Sequence, residues 1–127
     1  MYHGIHVAVA ECHAASRAAG WYTNLKTGQP LKRNVPEMLC LIHSEISEAM
    51  EGYRKNLQDD KLPHRKMVGV ELADALIRIL DLAGYLDTLP EYEGLDLAGA
   101  VLEKMAFNAN RSDHKPENRV LDGGKKF

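Results

Sequence analysis

Two stretches of this chain decide its fold: HSEISEAMEGYR over residues 43–54 and VELADALIRILDLAG over residues 70–84. In both, apolar residues recur at three- and four-residue spacings, which is the pattern of amphipathic α-helices. The apolar arc of the first helix extends back to Met38, and the second helix is apolar over most of its circumference. A polar connection that contains Pro63 separates the two. The sequence therefore predicts a helical hairpin.

Carboxylates occur where this pattern predicts core residues. On a wheel of about 100° per residue, Glu45 falls inside the apolar arc and Glu48 falls at its edge. The charges of the second helix share one narrow stripe, formed by Glu71, Asp74, Arg78 and Asp81. Because burying an unpaired carboxylate is costly, Glu45 requires a positive partner or a raised pKa. Four facing oxygen donors without histidine or cysteine suit Mg2+ or Mn2+ and not zinc.

The acidic stripe also has simpler interpretations. Asp74 and Arg78 are spaced to pair on a solvated helix face, and pairing of Arg78 with Asp81 is the simplest role for those two. The alternatives are that Arg78 orients a ligand or that Asp81 supplies another metal contact. A di-iron carboxylate bundle requires Glu-x-x-His on two helices, and neither acidic pair here has a histidine three residues later. A non-enzymatic helical interaction module, with a solvated or partner-facing acidic stripe, is the remaining alternative. It would show no dependence on divalent metal.

The paired motif Glu-x-x-Glu, 22 intervening residues and Glu-x-x-Asp resembles that of the MazG-like all-α nucleoside triphosphate pyrophosphohydrolases. The resemblance covers about residues 35–114 and continues in EKMAFNANR over 103–111, which matches the family's Lys-x3-Asn-x2-Arg signature. It implies Mg2+-dependent hydrolysis of (deoxy)nucleoside triphosphates to monophosphate and pyrophosphate by a metal-activated water, for nucleotide-pool control or house-cleaning. It also implies a homodimer or homotetramer. By position, the metal-binding and catalytic residues would be Glu45, Glu48, Glu71 and Asp74, and the nucleotide-binding residues Lys104, Asn108 and Arg111.

Helix geometry agrees with the nucleotide-binding assignment. Lys104, Asn108 and Arg111 are spaced i, i+4 and i+7 and share one face of a predicted helix. An ammonium, an amide and a guanidinium then project together, as a triphosphate and a sugar require. The alternative is a solvated helix C-terminus, where the dipole favours basic residues. Trp21 is a further candidate for substrate binding because aromatic faces stack on bases of any identity, and it suits a core or subunit contact equally well.

Length and composition indicate a single domain, residues 1–127. Hydrophobic residues are 45% and charged residues 27% of the chain, an ordinary globular composition, and a domain of this size buries only about two thirds of its unfolded surface. We predict an all-α bundle of about four main helices, completed by oligomerisation. Their ranges are about 5–19, 34–56, 65–86 and 96–111. The core spans about 34–111, and 112–127 is expected to be an extended or mobile arm.

Charge and targeting features indicate the setting. A net charge of -2 with interspersed signs gives no positive field for a nucleic-acid polymer, and no export signal or long apolar run is visible. We therefore expect a cytoplasmic protein that binds neither nucleic acid nor membrane. Cys12 and Cys40 are expected to be reduced, buried thiols. The early histidines, His3, His6 and His13, are expected to face solvent.

Overall fold

A computed structural model describes all 127 residues, with five α-helices and no β-strand. The helices are α1 (Tyr2–Ala18), α2 (Val35–Arg54), α3 (Met67–Asp87), α4 (Leu97–Ala109) and α5 (Pro116–Arg119). Two short 3-10 turns lie at Pro90–Tyr92 and Ser112–His114. The prediction of an all-α fold is confirmed, and α1 to α4 correspond to the four predicted helices. None of these helices has the length and apolar character that a membrane crossing requires.

Local signals in the sequence account for the helix ends. Just after α1, Gly20 adopts a φ of +88°, a left-handed conformation that glycine enters without steric cost. The side chain of Asn34 accepts a hydrogen bond from the backbone N–H of Glu37 at 3.1 Å and caps α2. Asp96 caps α4 in the same way through the N–H of Gly99. These caps satisfy backbone donors that a helix N-terminus otherwise leaves free.

The helices α2 and α3 form the predicted hairpin and make the most extensive helix contact of the molecule. They are antiparallel, because Gly52 lies against Met67 near the loop while Glu45 meets Arg78 towards the other end. The first helix, α1, packs on α3, and α4 packs on α1. The hairpin is therefore covered on one side by α1, and α4 lies farther out.

A glycine sets the distance between α1 and α3. A Cβ atom built on Gly84 would lie 2.5 Å from the Cβ of His13, much closer than two carbons can approach without displacing a neighbour. The absence of a side chain at this position therefore lets α1 pack closely on α3.

The core of the single chain is small. Only 13 of the 127 residues are buried, and the main apolar cluster is centred on Met38, Leu82 and Tyr85. Large apolar residues remain exposed along one side of the hairpin, including Leu39, Ile46 and Met50 of α2 and Leu72, Leu76 and Ile79 of α3. The apolar arc of α2 and the nearly all-apolar surface of α3 were expected to be packed, so one chain does not cover the whole apolar surface that the sequence encodes.

The structure differs from the expectations for the C-terminal segment and for the cysteines. The segment 112–127 is not extended throughout, because it contains a 3-10 turn and α5. Both cysteines are free as expected, but Cys40 is exposed and Cys12 is only partly buried. Cys40 lies on the outer side of α2, away from the face that packs on α3.

Candidate metal centre

The predicted acids meet in the middle of the hairpin. Carboxylate oxygens of Glu45, Glu71 and Asp74 all lie within 4.8 Å of one another. Glu45 and Glu71 are each 9% exposed, whereas Asp74 is exposed and opens the cluster towards solvent. Two antiparallel helices thus hold three oxygen donors together, one from α2 and two from α3.

The fourth acid, Glu48, is exposed and lies beside Glu71 without belonging to this close cluster. The pKa of Glu71 is raised from 4.5 to about 7, first by burial, then by the negative charge of Glu48 and by hydrogen bonds with Glu45 and Glu48. The acids therefore repel one another, and a divalent cation would relieve that repulsion. A set of carboxylate oxygens with no nitrogen or sulfur donor fits Mg2+ or Mn2+.

Arg78 contacts the cluster from one turn beyond Asp74. Its Nε donates a hydrogen bond to Glu45 Oε1 at 2.7 Å, and this ion pair joins α3 to α2. The predicted pairing of Arg78 with Asp74 or Asp81 on its own helix is therefore wrong. Glu45 is buried, and a charge withdrawn from water gains most from a positive partner. Asp74 is exposed to water, and Asp81 is already bonded to His13 and Tyr22.

Asp81 belongs to a separate polar network. Its Oδ1 lies 2.9 Å from His13 Nδ1 and accepts a hydrogen bond from the hydroxyl of Tyr22 at 2.8 Å. His13 was expected to face solvent, but its side chain is only 12% exposed. Its partner Asp81 lies on α3, so the sequence of α1 alone could not indicate that His13 is buried. Asp81 thus fastens α1 and the following loop to α3.

The acids line a cleft of about 820 Å³, a size that suits a small organic ligand. Trp21 and Arg33 lie on its wall, and Arg33 Nη1 donates a hydrogen bond to the carbonyl of Trp21 at 3.2 Å. Trp21 is 63% exposed, so its ring is a surface of the cleft and not part of the core. The guanidinium of Arg33 also lies 5.5 Å from the ring centroid of Tyr22.

The loop between α2 and α3 supplies cleft residues that sequence reasoning missed. Asp59 is 5% exposed, and its Oδ2 accepts hydrogen bonds from the backbone N–H groups of Lys61 and Leu62 at 3.0 and 2.7 Å. These bonds fix the turn, and Lys61 lies on the cleft wall. An aspartate whose carboxylate bonds the backbone two residues on is a common turn signal, but that signal does not indicate where the side chain of Lys61 points.

The three predicted nucleotide-binding residues of the fourth helical segment do not line this cleft within one chain. Lys104 lies over the ring of Phe107 at 4.7 Å, and Arg111 forms a two-pronged ion pair with Asp113 at 3.0 and 2.7 Å. Because α4 ends at Ala109, Arg111 does not share the predicted helix face. Asn108 does lie on α4, and its Oδ1 is buried without a hydrogen-bond partner.

Comparisons of the chain with protein-family models, with curated proteins and with solved structures find no match. The functional conclusion therefore depends on the residues of the cleft.

Proposed function

We propose that this protein is a Mg2+-dependent pyrophosphohydrolase of (deoxy)nucleoside triphosphates, similar to the MazG-like enzymes. The observation that carries the proposal is the cluster of Glu45, Glu71 and Asp74, which sits with Glu48 in a cleft large enough for a nucleotide. Mutually repelling carboxylates are costly for a small domain to hold together, and cation binding is a function that offsets that cost.

The chain's own residues would divide the reaction between them. Glu45, Glu48, Glu71 and Asp74 would hold Mg2+ or Mn2+, which when bound neutralises phosphate charge and lowers the pKa of water. Glu48, which is exposed and not committed to Arg78, is well placed to accept a proton from the attacking water. The products would be a nucleoside monophosphate and pyrophosphate.

The far wall of the cleft would bind the rest of the nucleotide. The exposed ring of Trp21 offers a stacking surface for a base, and Arg33 supplies positive charge beside it. Lys61 supplies positive charge to the cleft from the loop between α2 and α3. Stacking does not depend on base identity, so this wall suits a range of nucleotides. A role in pool control or house-cleaning is part of the proposal.

Oligomerisation is also part of the proposal. Exposed apolar residues along one side of the hairpin leave an uncovered surface, and a second copy of the chain would bury it. Within one chain α4 packs on α1 and stays away from the cleft. Lys104, Asn108 and Arg111 would therefore contact a nucleotide only if they reached the cleft of another subunit. The setting we propose is the cytoplasm, where the free cysteines Cys12 and Cys40 would stay reduced.

The test is pyrophosphate release from a panel of canonical and modified ribo- and deoxyribonucleoside triphosphates, in Mg2+ and in EDTA. We expect release that requires metal and that falls to background in Glu48→Gln, whose exposed side chain is not needed for packing. The matched control is Glu103→Gln on α4, which should retain wild-type rates. If no triphosphate is hydrolysed and metal has no effect, the apolar side of the hairpin instead favours an interaction module.

A further inference from the structure

Arg78 is the only basic side chain in direct contact with the acidic cluster. Only its Nε is engaged, by Glu45 Oε1 at 2.7 Å, and its Nη groups form no hydrogen bond within the chain. The side chain is 42% exposed and lines the cleft. Arg78 is therefore held at one atom and presents its remaining donors to the space where a ligand would lie.

The partner of Arg78 is also a candidate metal ligand. Glu45 is 9% exposed, and apart from Arg78 its close charged neighbours are the acids Glu71 and Asp74. A divalent ion bound by these three acids would supply the positive charge that Arg78 supplies in its absence. Two positive groups then compete for one carboxylate, and like charges so close together repel.

A guanidinium released from Glu45 would remain in the cleft, because Arg78 is anchored on α3 one turn beyond Asp74. A planar guanidinium binds phosphate through two parallel hydrogen bonds, and its free Nη groups are suited to that geometry. The negative charge of a polyphosphate would replace the contact that Arg78 loses at Glu45.

We propose that Arg78 is a phosphate-binding residue that neutralises Glu45 in the metal-free protein and transfers to the polyphosphate when the metal binds. This inference rests on the proposed function, since it takes the acids as metal ligands and a triphosphate as the substrate class. It assigns the main phosphate contact to α3 of the same chain, and not to the basic residues of the fourth helical segment.

The experiment is calorimetric titration of the full-length protein with Mg2+ alone, and then with inorganic tripolyphosphate at a fixed free Mg2+ concentration. Tripolyphosphate carries the phosphates without a base, so the result does not depend on base preference. The variant is Arg78→Gln, and the matched control is Arg54→Gln, an exposed arginine on α2 that is absent from the cleft.

We expect Arg78→Gln to bind Mg2+ alone several-fold more tightly than wild type and to bind tripolyphosphate at least about tenfold more weakly. Arg78→Lys, which keeps the charge but not the planar fork, should recover part of the tripolyphosphate affinity, and Arg54→Gln should match wild type in both titrations. Circular dichroism of each variant confirms that it is folded, and a misfolded Arg78→Gln leaves Arg78→Lys to decide the question.

Weaker Mg2+ binding in Arg78→Gln would show that Arg78 supports the metal site instead of competing with it, and would overturn the proposal. Unchanged tripolyphosphate affinity would overturn it as well, even if wild-type protein releases pyrophosphate. Conversely, if Arg78→Gln shows both expected affinity changes but the wild-type protein hydrolyses no triphosphate, the proposed activity is refuted and the role of Arg78 stands.

Discussion

Replacement of Glu71 by glutamine is expected to stabilise the metal-free protein at alkaline pH. Burial and the neighbouring acids raise the pKa of Glu71 from 4.5 to about 7. Between these pH values the folded state holds a proton that the unfolded state has released, so the free energy of unfolding falls as pH rises. The full difference corresponds to about 3 kcal/mol at about 1.4 kcal/mol per pH unit. Asp74 and Glu48 are exposed, so water near them screens the repulsion on Glu71. We therefore expect Glu71→Gln to raise the free energy of unfolding by about 2 kcal/mol.

The assay is urea unfolding of wild type and Glu71→Gln in EDTA across a pH series, at one protein concentration. The two should be equally stable below pH 4.5, where Glu71 is protonated in both states. Above pH 8 the variant should be more stable by about 2 kcal/mol, or roughly 8 °C in Tm. Added Mg2+ should stabilise wild type and have little effect on the variant. If the variant is no more stable than wild type at pH 8 in EDTA, the acids do not repel one another as inferred.

Three further predictions concern the framework that positions the cleft, each measured as a change in the free energy of unfolding. Gly84→Ala should cost about 2 kcal/mol, because the added Cβ would lie 2.5 Å from the Cβ of His13; an unchanged stability would mean that α1 does not pack closely there. Tyr22→Phe should cost about 1 kcal/mol by removing the hydroxyl that donates to Asp81 at 2.8 Å, and a gain in stability would contradict this role. Asn34→Ala should cost about 1 kcal/mol, and no loss would show that the cap of α2 contributes nothing measurable.

The fold and the acidic cluster were predictable because both depend on helical periodicity. The spacing of apolar residues predicted the hairpin, and the same wheel placed Glu45 among core positions. Two antiparallel helices joined by a short loop place facing residues together. The proximity of Glu45 to Glu71 and Asp74 could therefore be predicted from the hairpin alone. The assignment of a metal and of a reaction stays a prediction.

The remaining contacts depend on packing between elements distant in sequence. Nothing within α3 indicates that Arg78 reaches across to Glu45, because its nearest acids along the helix are Asp74 and Asp81. The burial of His13 depends on how closely α1 packs on α3, and Gly84 of α3 permits that close approach. The position of α4 depends on which apolar face it covers, and helix periodicity alone does not select its neighbour.

The exposure of Trp21 has an optical consequence. It is the chain's single tryptophan, and it lies on the cleft wall with 63% of its surface in water. Unfolding can change the environment of such an indole only modestly, whereas a stacked base would remove its water contacts and quench it through ring overlap. Under the proposed function, the emission of this tryptophan would therefore report a base bound in the cleft much more strongly than it reports unfolding of the chain.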